Sequence, residues 1–140
     1  MKKYISIITF LALSTLLVLT GCCKKSEPII LKNALPGTWD FESLKIASNE
    51  HIGTVLQSGF IRFDPMIGEK GNFHQEVAFI GTRVEILTGT YELMEAPGAI
   101  RMEAGEKVKV ITLKIDPKDT FVWEGDLEGK KEIIIAKRRK

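Results

Sequence analysis

From Gly37 onward, apolar side chains recur at every second position in short runs, and turn residues break the runs at close intervals. No window keeps the i, i+3, i+4, i+7 stripe of a helix for three turns, so the chain must bury its apolar surface as sheet. Trp39 and Phe41 share one parity and Leu44 and Ile46 the other, which predicts a long first strand with a bulge near Ser43. Phe60–Phe63 leads through Asp64-Pro65 and a Gly68–Gly71 turn to Phe73, Val77 and Phe79 on one face. Tyr91 and Leu93 point inward before Ala96-Pro97-Gly98, where Pro supplies the fixed φ and Gly the positive φ of a type II turn. Val108 and Val110, then Ile111, Leu113 and Ile115, predict a second switch of parity. Phe121 and Trp123 alternate before a Gly125–Gly129 turn, and Ile133–Ile135 forms the last strand, with Gly81–Leu87 read as a connection. Short turns between neighbours fix antiparallel, sequential pairing. Eight such strands without a covering helix predict an all-β, eight-stranded antiparallel up-and-down barrel, because closure removes the exposed edges. The alternative is a two-sheet β-sandwich.

The N-terminus is organised differently. Lys2 and Lys3 precede an apolar run from Ile5 to Leu19, and Thr20-Gly21 follow with small side chains, the order of a cleaved secretory signal. The run is short for a bilayer span. Leu19-Thr20-Gly21-Cys22 resembles the lipobox of bacterial lipoproteins, in which a lipid is joined to the Cys sulfur and a peptidase cuts before it. That resemblance implies residues 1–21 as signal peptide, Cys22 as the lipidated first residue, and attachment to a membrane through two or three acyl chains, palmitate among them. With Cys22 consumed, Cys23 has no partner for an intramolecular disulfide. The absence of Asp after Cys22 implies, by the same resemblance, the outer membrane. Residues 22–34 read as a lipidated tether, 35–138 as the domain, and 139–140 as a basic tail that ends the dense run Lys137–Lys140.

The formal charge of +2 is misleading. Lys2 and Lys3 leave with the signal, four of the remaining bases are the last four residues, and the body between is acidic. A nucleic-acid binder needs the opposite balance on its folded part, so nucleic acid is excluded as a partner.

Gly37-Thr38-Trp39, at the head of the first strand directly after the tether, resembles the Gly-x-Trp signature of lipocalins. The order of lipobox, tether, Gly-x-Trp and meandering strands is similar to the small lipocalin-like lipoproteins of Gram-negative bacteria. The resemblance implies that Gly37 and Trp39 form a barrel end capped by a basic side chain of the last strand: Arg138, or Lys137 if the parity is reversed. It further implies a small apolar ligand inside the barrel, lined by Phe63, Phe73, Phe79, Tyr91, Phe121 and Trp123, with access near the Pro65–Gly71 and Pro97-Gly98 loops. The chain departs from the family in having no C-terminal helix after the barrel and in its short domain.

Catalytic chemistry is hard to place. No Gly-x-Ser-x-Gly elbow, phosphate loop or available nucleophilic Cys occurs. His74 and Glu76 share a strand face opposite Phe73, two potential ligands where a catalytic zinc takes three. The expectation is therefore a non-enzymatic module without metal or cofactor, binding a small apolar molecule in the cell envelope. The alternative is a solid barrel that meets another envelope protein as an interaction or inhibitor module.

Overall fold

A computed structural model describes residues 31–140. The leader, Cys22 and Cys23 lie outside the described residues. A four-residue helix α1 (Leu31–Ala34) is followed by nine strands: β1 (Gly37–Ile46), β2 (Asn49–Glu50), β3 (Leu56–Phe63), β4 (Lys70–Phe79), β5 (Val84–Leu93), β6 (Ala99–Ala104), β7 (Lys107–Ile115), β8 (Thr120–Leu127) and β9 (Lys130–Arg138). Consecutive strands pair antiparallel from β3 to β9. β1 pairs with β3 on one side and β9 on the other, closing an eight-stranded barrel and excluding the sandwich. The two-residue β2 adds only to the far end of β1.

Local chemistry places several of these features. The β1–β9 register shifts between Phe41 and Ser43, so Trp39 and Phe41 on one side of the bulge and Leu44 on the other all face the core. At the β5–β6 turn Ala99 N–H donates to Ala96 C=O at 3.0 Å with Gly98 at φ 75°, the type II geometry that Pro97-Gly98 favours. Glu50 accepts from Ser43 and from the N–H groups of Leu44, His51 and Ile52, pinning the β2 turn to β1. Although desolvation opposes it, this set of hydrogen bonds holds the Glu50 carboxyl below its ordinary range.

Two expectations are corrected. Gly81–Leu87 is not a connection throughout: Val84–Leu87 begin β5 and pair with β4 as far as Val84↔Ala78. β7 has no switch of parity, and its register against β6 is unbroken from Ala104↔Lys107 to Ala99↔Thr112. Ile111 and Leu113 face the core, but Val108 and Val110 face solvent, and the inward positions before Ile111 are Lys109 and Lys107.

The barrel has two unlike halves. In one, Trp39, Phe63, Tyr91 and Phe121 are buried with Ile61, Ile100 and Ile134. Trp39 and Phe121 pack with ring centroids 4.9 Å apart, and Phe63 meets Tyr91 edge-on at 5.1 Å. The Tyr91 hydroxyl donates to Asp64 C=O at 2.7 Å. Burial, with the nearby Asp64 charge, pushes this phenol up to about 12. Because the folded value exceeds the ordinary 10.0, the contribution to stability is complete below pH 10 and disappears as pH rises towards about 12. In a chain without residues 1–21, Tyr91 is the only tyrosine. Ultraviolet titration of its phenolate should give a midpoint near 12 coincident with alkaline unfolding, and Tyr91→Phe should remove that tyrosinate signal; a midpoint near 10 in the folded protein would contradict the packing described.

Candidate functional site: an open cavity at one barrel end

One end of the barrel is sealed. The Trp39 indole N–H donates to Leu35 C=O at 2.9 Å, tying the completely buried Leu35 and the α1 turn over the barrel. Arg138 lies with its guanidinium carbon 4.2 Å from the Trp39 ring centroid, a stacked cation contributing ~0.5–2 kcal/mol. The same guanidinium donates to Pro36 C=O at 2.7 Å, to Ala34 C=O, and to the Asp119 carboxylate at 3.0 Å. Gly37 is required here, because its φ is 135° and a Cβ would sit 2.6 Å from the Arg138 guanidinium. Lys137 points away from this stack and is exposed. Arg139 is no free tail: its N–H donates to Thr38 C=O, and its guanidinium pairs with Asp40 and lies 5.0 Å from the Phe60 ring.

The other end is open. A cavity of about 600 Å3 occupies it, floored by Phe73, Met102 and Trp123 and walled by Leu44, Ile46, Val77 and Phe79 from β1 and β4. Gly59 leaves room beside this wall, since a Cβ there would meet the Phe41 ring at 2.5 Å. The β4–β5 hairpin overhangs the mouth and exposes Ile80, Val84 and Ile86, the last at 62%. Access is therefore opposite to the expected position: the Pro65–Gly71 and Pro97-Gly98 loops join strand ends at the sealed end, near Trp39 and Tyr91.

Of the six aromatics expected to line a ligand, Phe73, Phe79 and Trp123 line the cavity. Phe63, Tyr91 and Phe121 instead fill the sealed half. Sequence reasoning missed the polar lining. Lys109 and Glu132 form an ion pair inside the cavity wall, with Glu132 only 7% exposed and the Lys109 ammonium 5.1 Å from the Trp123 ring centroid. His74 and Glu76 sit 4.0 Å apart, and among the described residues no cluster of three or more His, Cys, Asp or Glu side chains could hold a metal.

The geometry defines a small eight-stranded β-barrel, sealed at one end and hollow at the other. Among solved structures the chain is similar to a redesigned beta barrel, with a TM-score of 0.60 at 16% identity, covering 78% of this chain and 95% of that one. It is also similar to a fluorescence-activating beta barrel of de novo design, with a TM-score of 0.59 at 15% identity, covering 79% and 99%. These likenesses show the fold. No protein-family model and no curated protein matches the chain.

Proposed function

We propose that the mature chain is a lipid-anchored, lipocalin-like lipoprotein of the cell envelope that holds a small, largely apolar molecule in the open half of its barrel and catalyses no reaction. The observation that carries the reading is the cavity, whose volume of about 600 Å3 falls in the range of small-molecule sites and whose walls are mostly apolar. A solid barrel acting only through its outer surface has no use for such a space. The anchor is Cys22, in the outer membrane. Leu31, where the described residues begin, lies beside the sealed end, so a tether from Cys22 would leave the mouth pointing away from its attachment.

The test is retention of a ligand. The domain from Ser26, purified from its own host, should carry a small molecule in native mass spectrometry or gain thermal stability from ten- to sixteen-carbon amphiphiles, whereas the absence of both effects would overturn the ligand-binding reading. For the anchor, Cys22→Ser should leave the chain at its precursor mass and unlabelled by radioactive palmitate; unchanged processing and labelling would overturn it.

A further inference from the structure

Strand β7 carries charge on its inner face. Counting outward by twos from the buried Ile111, the inward positions are Lys109 and Lys107, while Val108 and Val110 on the outer face are 54% and 51% exposed. A barrel interior built for packing alone would exchange these pairs, since Val favours the core and Lys the solvent. β9 repeats the inversion, with Glu132 inside and Ile133 on the outer face. Between them, β8 offers Gly125. A Cβ there would lie 3.2 Å from Lys109 Cε and 3.1 Å from both Trp123 Nε1 and Ile111 Cγ2, so the missing side chain is what allows Lys109 to reach across β8 to Glu132.

This wall is costly to build. Lys109 is partly and Glu132 almost fully buried, and an ion pair withdrawn from water is commonly less stabilising than an apolar pair of the same volume. The Trp123 indole N–H beside Gly125 is moreover the one buried side-chain polar atom among the described residues that has no hydrogen-bond partner, on a residue only 2% exposed. The Lys109 donor thus stands next to the Glu132 acceptor, above the Trp123 ring and facing the apolar wall of Leu44, Val77 and Phe79. The charges cancel: besides His51, the cavity is lined by two lysines, Lys107 and Lys109, and two glutamates, Glu85 and Glu132. An anionic head group that gains from Lys109 meets Glu132, and a cationic one meets the reverse. A polar group that is neutral overall, with acceptor and donor side by side, can satisfy both partners.

We propose, on the basis of the ligand-binding reading above, that the Lys109–Glu132 pair in the cavity wall selects amphiphiles with an electrically neutral donor-and-acceptor polar group, the carboxamide being the simplest, over free fatty acids and fatty amines of equal length. The experiment is calorimetric titration of the protein with decanamide, decanoate and decylamine at neutral pH. Decanamide should bind at least about tenfold tighter than either charged analogue, a difference of ~1.4 kcal/mol. Glu132→Gln should shift the preference towards decanoate, and the double variant Lys109→Met/Glu132→Leu, which replaces the pair by apolar groups and so protects the fold, should bind all three without that discrimination. Equal or tighter binding of decanoate or decylamine by the unmodified protein would overturn the selectivity while leaving the binding reading intact. Binding of none of the three would also overturn the selectivity, and the binding reading itself then stands or falls on the ligand-retention test above.

Discussion

Trp39→Ala should lower the stability of the domain by about 3–5 kcal/mol, the usual cost of truncating a fully buried large aromatic. Trp39 is completely buried, packs on Phe121, supports the Arg138 guanidinium and ties down Leu35 through its indole N–H. Its loss opens a void at the sealed end and unties α1. Since a domain of this size loses about 4–8 °C of melting temperature per kcal/mol, the midpoint should fall by roughly 12–40 °C. Arg138→Ala should cost less, because the guanidinium contributes ~0.5–2 kcal/mol through the ring and its hydrogen-bonded carbonyls remain within reach of water. Thermal unfolding by circular dichroism measures both, and a Trp39→Ala midpoint within a few degrees of the parent would contradict the plugged end.

Gly89→Ala should be comparably damaging through a different cause. Gly89 lies where β5 parts from β6, its pairing with β6 beginning only at Thr90. The Glu103 carbonyl oxygen of β6 closes over the bare α-carbon, so an added Cβ would fall 1.9 Å from that oxygen and 2.9 Å from the Phe73 ring. A flexible side chain could swing clear; a backbone carbonyl on a strand that is itself held by β7 on its other side cannot. The expected loss is ~3 kcal/mol or more, at the upper end of what over-packing costs, and it should fall on the β5–β6 seam. Hydrogen exchange should show faster exchange at Tyr91–Leu93 and Ile100–Glu103 in the variant, and unchanged protection there would mean that the seam does not close as described. Gly105→Ala is the comparison: Gly105 has open space around it, and the strain comes only from its φ of 60°, so its cost should be smaller.

The barrel was legible because its signals are local and repeated. Alternation in β3, β4 and β8, the bulge between Phe41 and Ser43, and Pro97-Gly98 at its turn each follow from a few neighbouring residues. The hollow half was less legible, because a cavity breaks the rule that inward means apolar. Val108 and Val110 look like core by composition and face solvent, and this produced the expected change of parity in β7. Parity carried unchanged from Ile111 and Ile134 would have placed Lys109 and Glu132 inside, the one signal available for that pair. β5 hid for the same reason: Val84, Glu85, Ile86 and Leu87 overhang the mouth and are exposed on both faces, so no alternation of burial marks them as strand. The expected access was inverted because Pro and Gly mark tight turns, and here those turns join strands at the end that Trp39 and Arg138 seal.

The central claim, an occupiable cavity at the end of the barrel away from Trp39, is tested most directly by the chain's two tryptophans. Trp123 floors the cavity and Trp39 sits in the sealed half. A bromine-labelled amphiphile should quench the fluorescence of a folded Trp39→Phe variant, which reports Trp123 alone, and leave a folded Trp123→Phe variant, which reports Trp39 and is shown by calorimetry still to bind the amphiphile, nearly unchanged. Quenching of Trp39 as strong as that of Trp123, or of neither at saturating amphiphile, would contradict the account.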